Sequence, residues 1–274
     1  PEANPGLGKI KKLSALQGYV EKAKRDPSFL PTVLTKDFNL PETSNQTWLP
    51  YEAIVNKTKL DWKYIESSYA IGGCDLSATG DLTCASLLVR KPDDKNIYAI
   101  QHYFMPQAKL DLVEQTQRRE APYRLWAEQG WLTVNEGAAV DYYEVTNWFV
   151  KMVKEYDIRP LWICYDRALA GYWAPQMEEI GFILEKIPQG PYTWSQSFKE
   201  MGACFKEHRV IYDYNPITLW CLANTAAKAL NSDGIETIQP VKIQKNRRID
   251  GTVSLLNAWV GYTRHYEEYM SYLR

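Results

Sequence analysis

Three aspartates occupy positions in the sequence where acidic side chains can act together. Asp75 ends the apolar run YAIGGCD, Asp166 ends the apolar run LWICYD, and Asp250 lies where the helical pattern of RRIDGTVSLLNAWVGY begins. Each aspartate alone has an ordinary structural explanation, because aspartate is common in turns and as a helix N-cap. Two strand patterns that end in an acid, followed by an acid at a helix start, indicate a shared site more specifically than any one of these aspartates does.

This arrangement is typical of a site for divalent cations. Ligands of mixed α/β sheets collect beyond the carboxyl ends of strands, so we expect Asp75 and Asp166 to be neighbours, with Asp250 brought to them by the first turn of the last helix. Carboxylates held close together repel each other unless a cation lies between them. Oxygen ligands favour Mg²⁺ or Mn²⁺, and no His or Cys cluster has zinc spacing. Two such ions, about 4 Å apart, would activate water and stabilise the leaving oxygen of a phosphodiester.

Several residues near the aspartates are candidates for supporting roles. Asp81 could bind a metal ion through water or orient Asp75, although a surface turn residue is the simpler interpretation. A basic run just before Asp250 is predicted to hold DNA phosphates, against the alternative of a solvated charged loop. The run consists of Lys242, Lys245, Arg247 and Arg248.

Composition limits the class of protein. The 274 residues carry a formal net charge of −1 and are 45% hydrophobic, which is typical of a globular protein with a substantial core. A net charge close to zero argues against a uniformly basic nucleic-acid binder. A polyanion must therefore be bound by a local basic patch or through cations. No apolar run approaches the length of a membrane span and no signal segment opens the chain, so we expect a cytosolic protein. The five scattered cysteines indicate buried thiols.

Alternating strand and helix patterns predict the scaffold that positions the aspartates. Strands are predicted at 69–75, 82–90 and 97–104, and their short links require antiparallel neighbours. Further strands are predicted at 161–166, 182–187 and 209–213, and helices near 119–129, 141–156, 171–181, 194–206, 216–230 and from Arg248 onward. This order predicts an α/β fold, with a mixed sheet flanked by helices on both faces.

The first sixty residues differ in character from the rest. One helical pattern ends before Pro27, and residues 31–60 combine prolines with the polar run ETSNQT, as connectors do. We therefore predict a helical tail and linker over residues 1–60 and one main domain over residues 61–274. Because the sequence begins with proline, we expect it to be part of a longer polypeptide.

The motifs around the aspartates resemble those of a known family. GGCDLSATGDLTCASLLV, LWICYDRALAG and RRIDGTVSLLNAWVGY look like the three acidic motifs in the nuclease domain of tailed-phage terminase large subunits of the HK97-like type. The resemblance covers most of residues 61–274, and the opening ANPGLG with its helix looks like the tail that follows the packaging ATPase. It implies a ribonuclease H-like fold, with Asp75, Asp166 and Asp250 as the catalytic, metal-binding acids.

The resemblance also implies an activity and partners. The expected activity is metal-dependent cleavage of double-stranded DNA during phage genome packaging, in the cytoplasm of the bacterial host and away from any membrane. The expected partners are double-stranded DNA, an upstream ATPase domain, the portal and the small terminase subunit. The phosphate loop G-x-x-x-x-G-K-[ST] is missing, because GLGKIKK has the wrong glycine spacing and lacks the hydroxyl. ATP hydrolysis is therefore not assigned to this chain.

Three alternatives stay open. An actin-like or sugar-kinase-like ATPase also uses a D-L-x-x-T turn between strands, but it needs a second phosphate loop and an adenosine loop, which the sequence does not show. A non-catalytic ribonuclease H-like docking module would be expected to lack one of the three acids. A recombinase or transposase nuclease would use the same carboxylate chemistry.

Overall fold

The structure is a computed structural model of the chain. It describes residues 12–25, 47–77, 82–115, 121–166, 171–232, 235–244 and 247–273. Asp81 and Lys245, which the sequence indicated as site residues, lie outside the described residues.

Helices and strands alternate along most of the described chain. The helices are α1 (Leu13–Arg25), α2 (Tyr51–Ile54), α3 (Trp62–Ile65), α4 (Gln107–Gln115), α5 (Tyr123–Glu128), α6 (Tyr142–Tyr156), α7 (Trp173–Ile180), α8 (Pro191–Lys206), α9 (Pro216–Ala223), α10 (Asp250–Arg264) and α11 (Tyr266–Tyr272). The strands are β1 (Tyr69–Asp75), β2 (Thr83–Val89), β3 (Ile97–Pro106), β4 (Leu132–Asn135), β5 (Arg159–Asp166), β6 (Leu184–Ile187), β7 (Val210–Ile211), β8 (Thr225–Ser232) and β9 (Ile235–Lys242). In the described ranges, no helix has both the length and the apolar character needed to cross a membrane.

The main sheet is mixed. Its strands follow the order β4-β3-β2-β1-β5-β6, and β7 pairs with β3. Strands β1, β2 and β3 are antiparallel neighbours, as their short connections predicted, whereas β5 lies parallel to both β1 and β6. The central position of β1 between β2 and β5 places the carboxyl end of this strand in the middle of the sheet edge.

Alternation along the strands directs side chains into a core on each face of the sheet. Ile71 of β1 and Cys164 of β5 pack with α8 and α10 on one face. Ala70 and Ile163, one residue away in each strand, pack with α6 and α7 on the other face. This arrangement confirms the predicted fold class, a mixed sheet with helices on both faces.

Helix α10 lies in close contact with the sheet and is buried from Asp250 to Tyr262. Glycines permit this approach: a Cβ atom on Gly73 of β1 would overlap backbone atoms of Ser254 and Ala258 in the helix. The first residue of α10 is therefore held against the end of β1 by backbone packing.

The segment just before the predicted domain boundary packs against the same body. The Trp48 ring stacks on Phe198 of α8 with centroids 4.1 Å apart, and Leu49 and Ile54 are buried in the α10-side core. The side-chain amide of Asn56 donates to the Val210 carbonyl at 3.0 Å. The core thus includes residues upstream of position 60, while the division into a 1–60 tail and a 61–274 domain stays a prediction.

One predicted helix is partly wrong. Helix α9 ends at Ala223, and Thr225–Ser232 forms β8, which pairs antiparallel with β9 in a separate two-stranded sheet. The run TAAKAL favours a helix by intrinsic propensity, but pairing with a partner strand overrides that preference. Asp-Gly follows Ser232 in the sequence and is a dipeptide typical of hairpin turns.

Candidate functional site

Asp75 and Asp166 end neighbouring parallel strands. The register pairs Cys74 of β1 with Tyr165 of β5, so Asp75 is level with Asp166 one residue further along. Neighbouring strands lie about 4.8 Å apart, which sets the scale of the separation between these two backbone positions. Side chains two and four residues apart share one face, so both aspartates face the α10 side of the sheet, as Cys164 does.

Asp250 reaches the same region from α10. It is the first residue of that helix and is only 6% exposed. Asp75 and Asp250 line one cleft with a volume of about 440 Å³. The remaining lining residues are Leu76, Ser77, Gln189, Trp194, Gln239, Pro240, Lys242, Ile249 and Val253. The cleft therefore contains the carboxylates at the end of β1 and the start of α10.

The three aspartates interact electrostatically. Burial raises the pKa of Asp75 well above its usual value, and the charges of Asp250 and then Asp166 raise it further. Lys242 acts in the opposite direction and lowers the pKa of Asp75. Carboxylates that perturb one another in this way are close enough to repel when ionised, and a bound cation would relieve that repulsion.

The structure does not present a closed metal centre. Within the part of the chain that it describes, no group of three or more His, Cys, Asp or Glu side chains is arranged to hold one ion. What it shows is Asp75 and Asp250 in one cleft, with Asp166 within electrostatic range of Asp75. Three carboxylates form a donor set that suits hard cations such as Mg²⁺ or Mn²⁺, so the chemistry of the residues fits such an ion. Their role as metal ligands stays a prediction.

The predicted basic residues differ in how closely they are associated with the cleft and its acids. Lys242, the last residue of β9, lines the cleft. Burial lowers the pKa of Arg248, an effect that the nearby charge of Asp250 opposes. Arg247 is half-buried, and its backbone N–H donates to the Gln244 carbonyl at 2.9 Å. Their contact with DNA stays a prediction.

The cleft wall contains residues that no sequence pattern indicated. Gln189 lines the cleft just before α8, Trp194 from the first turn of that helix, and Gln239 from β9. The Ile238 backbone N–H donates to the Ser195 hydroxyl at 3.0 Å, which holds β9 against α8. Single glutamines have no diagnostic spacing, so only a correct prediction of the β8–β9 hairpin could have indicated the part of the wall that Gln239 forms.

Known proteins resemble the chain over nearly its whole length. It is 28% identical over 266 residues to the large terminase subunit of Enterobacteria phage HK97, an alignment that covers 92% of this chain and 49% of that protein. It is 26% identical over 283 residues to protein YmfN of Escherichia coli K12, covering 97% of this chain and 59% of that protein. The chain therefore spans between about half and three fifths of the length of these curated relatives.

A solved structure shows the same fold. The crystal structure of the HK97 large terminase matches with a TM-score of 0.66 at 23% identity, covering 94% of this chain and 52% of that one. This match confirms the predicted ribonuclease H-like fold. The family model described as "Terminase large subunit, endonuclease domain" matches residues 1–266. As its three acidic motifs predicted, the chain belongs to the family of terminase large subunit endonuclease domains.

Proposed function

We propose that this chain is a divalent-metal-dependent endonuclease that cuts double-stranded DNA during phage genome packaging by two-metal-ion hydrolysis. The observation that carries the proposal is the meeting of Asp75 and Asp250 in one cleft, with the charge of Asp166 acting on Asp75. Membership of the endonuclease-domain family supports the reaction class. The ions are Mg²⁺ or Mn²⁺, in keeping with an all-carboxylate donor set.

Each acid has a distinct place in the proposed mechanism. Asp75 and Asp166, on adjacent strands, would hold the ions, and Asp250 would complete one site from the first turn of α10. When bound, the ions activate a water molecule and stabilise the leaving oxygen of the phosphodiester. The depth of Asp250 keeps its carboxylate in a fixed environment, because the helix around it is buried on the sheet. Asp81, which lies outside the described residues, supports Asp75 in this proposal.

The basic residues position the substrate. Lys242 lines the cleft with the acids and contacts a DNA phosphate, and Lys245, Arg247 and Arg248 extend this contact along the backbone. Phosphate contacts carry no base information, and no element of the described chain resembles a major-groove reading module. We therefore expect cleavage with little sequence preference.

The wider setting of the domain is part of the same proposal. Residues 1–60 follow an ATPase domain of a longer polypeptide, and the assembled motor engages the portal and the small terminase subunit in the host cytoplasm. The relatives support a longer polypeptide, because the chain aligns with only 49% of the HK97 large subunit and 59% of YmfN. Residues 61–274 form the nuclease domain proper.

Substitution of the acids tests the proposal. Asp75→Asn, Asp166→Asn and Asp250→Asn keep the side-chain shape but remove the charge, so each variant should lose Mn²⁺-dependent nicking of supercoiled plasmid by at least about a hundredfold. The matched control is Asp141→Asn at the N-cap of α6, where asparagine caps equally well. Nicking at the wild-type rate by all of the site variants, with folding verified by circular dichroism, would contradict the assignment.

A further inference from the structure

Helix α10 carries a buried polar stripe on the side that faces the sheet. Asp250, Ser254 and Asn257 are 6%, 0% and 0% exposed. At about 100° of rotation per residue, Ser254 lies about 40° to one side of Asp250 and Asn257 about 20° to the other. One narrow face of the helix thus holds a proposed metal ligand and two neutral polar side chains.

The neutral members of the stripe hold the main chain of β1 just before Asp75. The Ser254 hydroxyl lies 3.2 Å from the Gly73 carbonyl, to which it can donate. The Asn257 side-chain amide donates to the Cys74 carbonyl at 3.0 Å. The two peptide carbonyls that precede Asp75 are therefore both contacted by the helix that begins with Asp250.

The side chain of Asn257 costs stability in the folded protein. Its Oδ1 atom is buried and accepts no hydrogen bond within the described ranges. A buried acceptor left in this state destabilises a fold, and leucine, which has nearly the same size, would avoid the loss. Among the described residues, the side-chain hydrogen bond of Asn257 to the Cys74 carbonyl is therefore better explained by a role at the cleft than by a gain in stability.

Helix α10 also contacts the strands on both sides of β1. The Ser254 hydroxyl lies 3.0 Å from the Cys84 carbonyl of β2. Further along the helix, a Cβ atom added to Gly261 would overlap the Sγ atom of Cys164 in β5, the strand that ends in the second acid. Asn257 lies between these two contacts along the helix, where its side chain anchors β1.

We propose that Asn257, assisted by Ser254, is a positioning residue that fixes the distance between Asp75 and Asp250 and thereby sets the affinity of the cleft for divalent ions. The inference rests on the proposed function, because it takes the aspartates as metal ligands. Asp75 is the last residue of β1, where pairing with neighbouring strands ends and strand ends fray. Metal sites tolerate ligand displacements of only about 0.2 Å, so an anchor at this strand end has a direct effect on binding.

Asn257→Leu separates a positioning role from a packing role. The variant removes the anchor and the unsatisfied acceptor together, so the melting temperature of the metal-free protein should be unchanged or raised. The Mn²⁺ dissociation constant, measured by titration calorimetry, should rise about tenfold or more. Thr252→Val is the matched control on the same helix: Thr252 is 1% exposed and its hydroxyl lies 2.9 Å from that of Thr225, so its loss should leave the Mn²⁺ affinity unchanged.

Each outcome decides between the hypotheses. An unchanged Mn²⁺ affinity in Asn257→Leu, or a weakened affinity that only parallels a lower melting temperature, overturns the positioning role while the proposed function stands. A wild-type protein that binds no Mn²⁺ overturns the proposed function itself. If Asn257→Leu does not fold, Ser254→Ala, which deletes a single oxygen, tests the neighbouring anchor on Gly73, and its Mn²⁺ affinity should fall by more than its loss of stability accounts for.

Discussion

At the scale of single residues, His102 is a half-buried base that lies apart from the aspartates. Its Nε2 atom lies 2.8 Å from the Thr133 hydroxyl, and its ring contacts the rings of Phe104 and Trp148. It lines a separate cavity of about 400 Å³ between β3 and α6. Burial, together with the charge of Lys151, lowers the pKa of His102 to about 4.

This pKa makes stability depend on pH. The unfolded chain titrates this histidine near 6.5, so the neutral form favours the folded state. The stabilisation is complete above pH ~6.5 and is lost as the pH falls from there toward ~4. Between pH ~7.5 and ~5 the free energy of unfolding should fall by about 2 kcal/mol through this group alone. Urea unfolding at both pH values measures the fall, and His102→Gln should remove most of it; an equally large fall in the variant would contradict the assignment.

Residue types in the sequence indicated the acids but not their supports. The positions of Asp75 and Asp166 were predictable because a strand pattern ending in an acid has a defined place in a sheet, and that of Asp250 because its motif opens a helix. Their role as metal ligands stays a prediction. Asn257 was not, because an asparagine inside a helical pattern says nothing about which carbonyl it will reach. The contact with Cys74 depends on the packing distance of two elements 183 residues apart.

At the scale of elements, the close packing of α10 on β1 determines where Asp250 lies. Gly73 has no space for a side chain, because an added Cβ would overlap the backbone of α10 at Ser254 and Ala258. Backbone atoms cannot move aside as the end of a flexible side chain can. The helix and the strand must therefore separate if Gly73 is enlarged.

Gly73→Ala tests this packing. The substitution should lower the free energy of unfolding by about 1–3 kcal/mol, the usual range for overpacking a core. Gly18→Ala in α1 is the matched control, because an added Cβ there meets nothing within 4 Å and alanine favours a helix, so stability should be unchanged or slightly higher. Urea denaturation of both variants gives the comparison, and equal stabilities would show that α10 can move without loss.

The predictability of elements followed the strength of local patterns. Strands β1, β2 and β3 and helix α6 were predicted within a few residues, because their apolar spacing is regular and short turns separate the strands. Strand β8 was not, because TAAKAL has helical propensity and becomes a strand only through pairing with β9. Because the hairpin was not predicted, the part of the cleft wall that it forms was not predicted either.

At the scale of the whole molecule, charge is nearly balanced. A formal net charge of −1 gives no general attraction to DNA, so the proposed DNA binding requires a local concentration of basic side chains. Lys242 in the cleft and Arg248 near Asp250 provide such a concentration next to the acids. Because bound cations would also offset the carboxylates, metal and DNA should favour each other's binding.

The salt dependence of DNA binding measures how much this patch contributes. Each phosphate contact adds about 0.9 to the slope of log affinity against log salt, so Lys242→Ala should reduce the slope by about that amount and weaken binding uniformly across sequences. Lys154→Ala, in α6 on the opposite face of the sheet, is the matched control and should keep the wild-type slope. Fluorescence anisotropy with a labelled duplex between about 50 and 200 mM salt, in an Asp75→Asn background that prevents cleavage, gives both slopes. If the two lysine variants share the wild-type slope, Lys242 holds no phosphate, and the phosphate contacts come from other side chains.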